Sequence, residues 1–148
     1  MTRIKICGLA RPEDIEAVNE AGPDFAGFVL EVPGSRRSVS REALKVLAGS
    51  LRKEIKGVGV FVDAPEELVA ELLNEGTIAL AQLHGREDEA YIQRLRKLTD
   101  KPLIQAFSIR TGRDVERALG TAADYLLLDQ GKGGTGQTFD WSLIRDIR

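Results

Sequence analysis

Four polar residues stand where apolar runs of this chain end, and each is of a type that moves protons or holds charge: Cys7, Asp63, His84 and Asp129. Cys7 is followed by Gly8, which lets the backbone turn sharply. A thiolate at that point can act as a nucleophile or as a base, provided its neighbours favour the charged form. A lone cysteine serves equally well as a small apolar filler. Asp129 follows the apolar stretch Tyr125-Leu126-Leu127-Leu128 and precedes a glycine-rich segment. Partial burial there suits a general acid, although a cap or turn aspartate fits the same pattern. Arg36 and Arg37 lie in a Gly-Ser-Arg-Arg-Ser loop, where a guanidinium can grip a carboxylate in a fork or simply be solvated. His84, in Gln82-Leu83-His84-Gly85, is the single histidine and either lines the site or ends a strand. The segment 131–136, which holds Gly133 and Gly134, can fold over a ligand as a lid or be a generic loop.

The elements that must position these groups alternate. Apolar runs at 4–6, 25–30, 58–62, 78–83, 103–107 and 125–128 are nearly continuous, as in parallel strands buried on both faces. Amphipathic stretches with helical spacing lie between them. The first covers 12–20, with Pro12 set for a first turn, Gly22 for a stop, and Ile15 and Val18 facing inward. The second opens at Ser40 as N-cap and buries Leu44, Leu47 and Leu51. The third opens at Pro65 and carries Leu68 and Leu72. Further helices carry Tyr91, Ile92, Leu95 and Leu98, and then Val115 and Leu119. The last starts at Asp140 and runs through Leu143, Ile144 and Ile147.

This order predicts α/β architecture with right-handed crossovers. An open doubly wound sheet would gather ligand contacts at one switch point, whereas a (β/α)8 barrel of TIM-barrel type draws them from many strand ends. The spread of polar strand ends favours the barrel, and Cys7 and Asp129 then form an acid–base pair if the sheet curls. The glycine segment follows the sixth strand and lacks the spacing of a dinucleotide fingerprint. Six strand–helix units are present where a closed barrel needs eight, so residues 1–148 read as a single, incomplete TIM-barrel domain.

Composition narrows the partners. A formal net charge of −2, with basic residues scattered along the chain, argues against nucleic acid or a membrane surface. One cysteine excludes an internal disulfide. No apolar run has the length of a membrane span, and the first residues lack the design of a signal peptide. The expectation is a soluble, cytoplasmic protein.

Taken together, Lys5-Ile6-Cys7-Gly8, Ser35-Arg36-Arg37-Ser38-Val39-Ser40, Gly59-Val60-Phe61-Val62, Gln82-Leu83-His84-Gly85, Leu127-Leu128-Asp129 and the stretch from Gly133 to Trp141 resemble the phosphoribosylanthranilate isomerase family. The resemblance runs along the whole chain in order. It implies the (β/α)8 enzyme of tryptophan biosynthesis, an Amadori rearrangement of N-(5-phosphoribosyl)anthranilate, and no metal or organic cofactor. It further implies Asp129 as general acid, Cys7 as general base and Arg37 as partner of the anthranilate carboxylate. His84, Gly133 and Gly134 become substrate-binding residues, while Arg36, at a variable position, receives no role. The loop before Arg37 is about one residue longer than the family form.

The family's phosphate site lies in glycine-rich loops after the seventh and eighth strands, so no phosphate-binding residue is assigned. The expectation is accordingly a fragment, a split-gene half or a natural truncation. Its exposed barrel edges predict self-association or a need for a complementing segment. A catalytically incompetent barrel of that kind is the alternative function. A related isomerase of histidine biosynthesis fits less well, because such enzymes resemble one another in paired aspartates where this chain has Cys7 and Phe107-Ser108.

Overall fold

The computed structural model describes residues 1–130 and 138–145. Its strands are β1 (Lys5–Cys7), β2 (Phe25–Leu30), β3 (Ser38–Val39), β4 (Lys56–Phe61), β5 (Leu80–Leu83), β6 (Leu103–Ser108) and β7 (Tyr125–Asp129). They form one parallel sheet in the order β1-β2-β4-β5-β6-β7, with β3 paired to β2. Helices α1 (Pro12–Ala21), α2 (Arg41–Gly49), α3 (Glu66–Asn74), α4 (Glu89–Arg96) and α5 (Gly112–Leu119) are the crossovers. Among the described residues, β1 and β7 are the edges of this arc of six β/α units.

Local chemistry explains most boundaries. α1 starts at Pro12 and stops at Gly22, whose φ of 61° is left-handed and whose N–H reaches the Val18 carbonyl at 2.9 Å. Ser40 caps α2, its hydroxyl accepting the Ala43 N–H at 3.2 Å. Asp88 caps α4 in the same way, through the Tyr91 N–H at 2.8 Å. Alternate strand residues turn outward beneath the helices, and Ala26, Phe28, Phe61, Ala81, Leu83 and Leu103 are fully buried there. With Leu44, Leu72 and Leu95 they make the main core; a second cluster centres on Phe107, Ile109, Val115 and Ala118.

The helices need correction at two points. The helix foreseen from Asp140 is a single 3-10 turn, Trp141–Ile144. Asp140 does cap it, accepting the Ser142 N–H at 2.9 Å, and Leu143 and Ile144 pack with Phe139 on the second cluster. Ile147 lies outside the described residues. Two helices are shorter than expected: α2 ends at Gly49, which leaves Leu51 half-buried beyond it, and α4 ends at Arg96, which leaves Leu98 44% exposed. The strand β3, two residues long, is too short for any periodicity to reveal.

The loop between β1 and α1 is fixed by Asp14. Its carboxylate accepts the Ala10 and Arg11 N–H groups at 2.9 and 3.0 Å and the Arg11 guanidinium at 2.8 Å. The Arg11 hydrogen bond, then the Ala10 N–H, hold this carboxyl down at about 2. A depressed carboxyl stabilises the fold above its unfolded value and loses that contribution as pH falls through its folded value. The loop is therefore expected to loosen only as pH drops from 3.8 toward 2. Ala10 and Arg11 amide shifts in an NMR acid titration should move with a midpoint near the lower value; a midpoint at the ordinary carboxylate value would contradict the arrangement.

Candidate active site

Register decides which side chains share the inner face. Lys5 lies opposite Phe25, Cys7 opposite Gly27, Gly27 opposite Val58, and Val58 opposite Leu80. Gln82 pairs with Ile104, Ile104 with Tyr125, and Ser108 with Asp129. Because side chains alternate along each strand, Lys5, Cys7, Gln82, His84 and Asp129 all belong to one face. Cys7, His84 and Asp129 sit at its C-terminal rim.

Two glycines make room at Cys7. A Cβ built on Gly27 would meet the Cys7 sulfur at 2.6 Å and its Cα at 3.2 Å. Gly8 has a φ of 90°, and its N–H and that of Leu9 both donate to the Gly27 carbonyl, at 3.0 and 3.1 Å. A Cβ on Gly8 would lie 2.5 Å from Arg37 Cδ, so the arginine stem crosses directly over the turn after Cys7. The thiol is exposed, and no acidic partner engages Arg37 among the described residues. Arg37 is steadied from below: its N–H donates to Ser35 Oγ at 3.3 Å, Ser38 Oγ accepts the Val32 N–H at 2.8 Å, and β3 clamps the loop to β2.

On the other side of the site, His84 Nε2 lies 3.5 Å from Asp129 Oδ2, with the two side chains 30% and 31% exposed. Asp129 Oδ1 accepts the Gln130 N–H at 2.7 Å. His84 Nδ1 meets Gln82 Nε2 at 2.8 Å, and Lys5 Nζ donates to Gln82 Oε1. Burial pushes the Lys5 ammonium below its ordinary value, while attraction to Cys7 pulls it partly back.

Asp63 does not join this group. It adopts a left-handed φ of 51°, and its carboxylate accepts the Arg86 N–H at 2.6 Å and Nε at 3.0 Å. The Arg86 N–H is the chief reason its carboxyl lies below the usual range. Buried Glu87 completes the staple by accepting the Asp63 and Gly85 N–H groups at 2.8 and 2.7 Å. Asp63 thus ties the loop after β4 to the loop after β5. Arg36 is exposed. Gly133 and Gly134 lie outside the described residues. Lys5, Gln82 and Gly27 were not singled out as site residues from sequence. The signal for the first two was available: polar residues inside apolar runs, two positions before Cys7 and His84.

A parallel α/β arc with a thiol, an imidazole and a carboxyl at its strand ends has the make-up of a barrel-type acid–base enzyme. The family model for N-(5'-phosphoribosyl)anthranilate (PRA) isomerase matches residues 4–148. The isomerase of Endomicrobium trichonymphae is 40% identical over 152 residues, covering 100% of this chain and 74% of its own length. That of Clostridium kluyveri is 38% identical over 148 residues, with 100% and 72% coverage. Among solved structures, phosphoribosyl anthranilate isomerase from Thermotoga maritima superposes with a TM-score of 0.84 at 35% identity, over 97% of this chain and 70% of that one. The Thermus thermophilus enzyme gives 0.81 at 36%, with the same coverage. This chain belongs to the N-(5'-phosphoribosyl)anthranilate isomerase family, and its fold is of the TIM-barrel type.

The contact between Gly27 and Cys7 is testable. Gly27→Ala should destabilise the protein by about 1–3 kcal/mol, as overpacking does, in urea denaturation. Unchanged stability would show that Cys7 has room to move away.

Proposed function

We propose that this chain carries out the family's isomerisation with Cys7 and Asp129 as its proton-transfer groups. The family chemistry is the Amadori rearrangement of N-(5-phosphoribosyl)anthranilate to 1-(2-carboxyphenylamino)-1-deoxyribulose 5-phosphate in tryptophan biosynthesis. Asp129 gives its proton to the furanose ring oxygen as the bond from that oxygen to C1 breaks and the amine lone pair forms C1=N. The Cys7 thiolate then takes the proton from C2, and the electron pair released closes C1=C2 to give the enolamine. Reprotonation at C1 and loss of the hydroxyl proton at C2 yield the ketone. Arg37 holds the anthranilate carboxylate, and His84, Gly133 and Gly134 contribute to substrate binding.

The observation that carries this reading is the inner-face grouping, with Arg37 over the turn after Cys7 and His84 beside Asp129. A related isomerase, 33% identical with a TM-score of 0.80, was solved in complex with reduced 1-(o-carboxyphenylamino)-1-deoxyribulose 5-phosphate. The substrate is a small molecule, and none of the helices among the described residues is long and apolar enough to cross a membrane. The biosynthetic family supports a cytoplasmic setting.

The open arc supports self-association as well. On β7, Tyr125 and Leu126 are 49% and 38% exposed on opposite faces, and this parallel edge, unpaired among the described residues, invites pairing. Sedimentation should show association that rises with concentration; a monomer at all concentrations would remove this reading.

Turnover tests the chemistry. Loss of anthranilate fluorescence from freshly made substrate should fall by roughly a hundredfold or more in Cys7→Ala and in Asp129→Asn. Near-full activity in either variant would remove that residue from its role.

A further inference from the structure

A line of polar side chains crosses the inner face from β1 through β5 to β7, and the direction of its hydrogen bonds is fixed by chemistry. An ammonium offers only protons, so Gln82 must turn its carbonyl oxygen toward Lys5. Its amide nitrogen is thereby aimed at His84 Nδ1, 2.8 Å away. An amide nitrogen only donates, so Nδ1 accepts and is bare, and the imidazole proton sits on Nε2. Gln82 is 2% exposed, which leaves water no place to satisfy a flipped amide.

We propose that Lys5 and Gln82 are positioning residues for the acid step, holding His84 in the tautomer whose Nε2–H faces Asp129. The inference rests on the reading of Asp129 as the acid. As Asp129 delivers its proton to the ring oxygen, negative charge develops on a carboxyl whose Oδ1 already accepts the Gln130 N–H at 2.7 Å. The Nε2–H of His84, 3.5 Å from Oδ2, supplies a second donor for that charge. Its help grows as the proton leaves, which favours the transition state over the bound substrate. The present approach is longer than a closed hydrogen bond, and catalytic contacts of this kind tighten as substrate binds. The opposite tautomer would aim a lone pair at the forming carboxylate.

His84 is the single histidine, so nitrogen NMR of the imidazole reads the tautomer without ambiguity. The full chain should show a bare Nδ1 and a protonated Nε2. Gln82→Glu presents an acceptor to Nδ1 and should place a proton there, and Lys5→Met should release the amide and give a mixture of tautomers. A protonated Nδ1 in the unsubstituted chain, or a bare Nδ1 kept in both variants, would overturn the inference. In turnover assays, Gln82→Met should lower kcat about tenfold and leave KM within about twofold, since the contact forms fully only in the transition state. An unchanged kcat would overturn it too. If the unsubstituted chain has no turnover, that result counts against the proposed function, and the tautomer still decides this inference.

Discussion

The constraint on which the rest depends is the unbroken parallel register from β1 to β7. With side chains alternating along every strand, one register sends Cys7, Gln82, His84 and Asp129 to the inner face and Phe28, Phe61, Leu83 and Leu103 beneath the helices. A slip of one residue would exchange the two sets, exposing the core and burying the chemistry. The large apolar outer face therefore holds the small polar inner face in place. Stability and site geometry follow from one pattern.

Within that register, absent side chains matter as much as those present. Gly27 stands opposite Cys7 because no Cβ fits beside the sulfur, and Gly8 lets both the chain and the Arg37 stem pass close to it. The two glycines bring the Cys7 thiol and the Arg37 side chain together without burying either. On the far side the method differs: buried Gln82 holds His84 by a hydrogen bond, and the Gln130 N–H holds Asp129. One half of the site is steric and the other polar.

Much of this was legible in the sequence. Strand positions showed as continuous apolar runs, and the bounds of α1 and the start of α2 followed from Pro12, Gly22 and Ser40, whose caps act through local backbone chemistry. Cys7, Arg37, His84 and Asp129 stood out as polar residues at strand ends or in the adjoining loop. What escaped depends on partners distant in sequence. Asp63 looked like a site residue because its position matches that of Cys7, yet Arg86 and Glu87, more than twenty residues away, make it a staple. The roles of Lys5 and Gln82 appear only when β1 and β5 face each other. β3 and the short turn after Asp140 are too brief for periodicity, and their form is set by pairing with β2 and by packing on the second core cluster.

If the inner-face rim is one active site, a single ligand engages both of its halves. Titrating the chain with reduced 1-(o-carboxyphenylamino)-1-deoxyribulose 5-phosphate, the compound bound in the solved relative, while following backbone amide NMR signals would test this. Signals of Cys7, Gly8, Arg37, His84 and Asp129 should shift together with a single Kd. Shifts confined to one half, or none at Cys7 and Asp129, would contradict the claim that the inner-face rim is one active site.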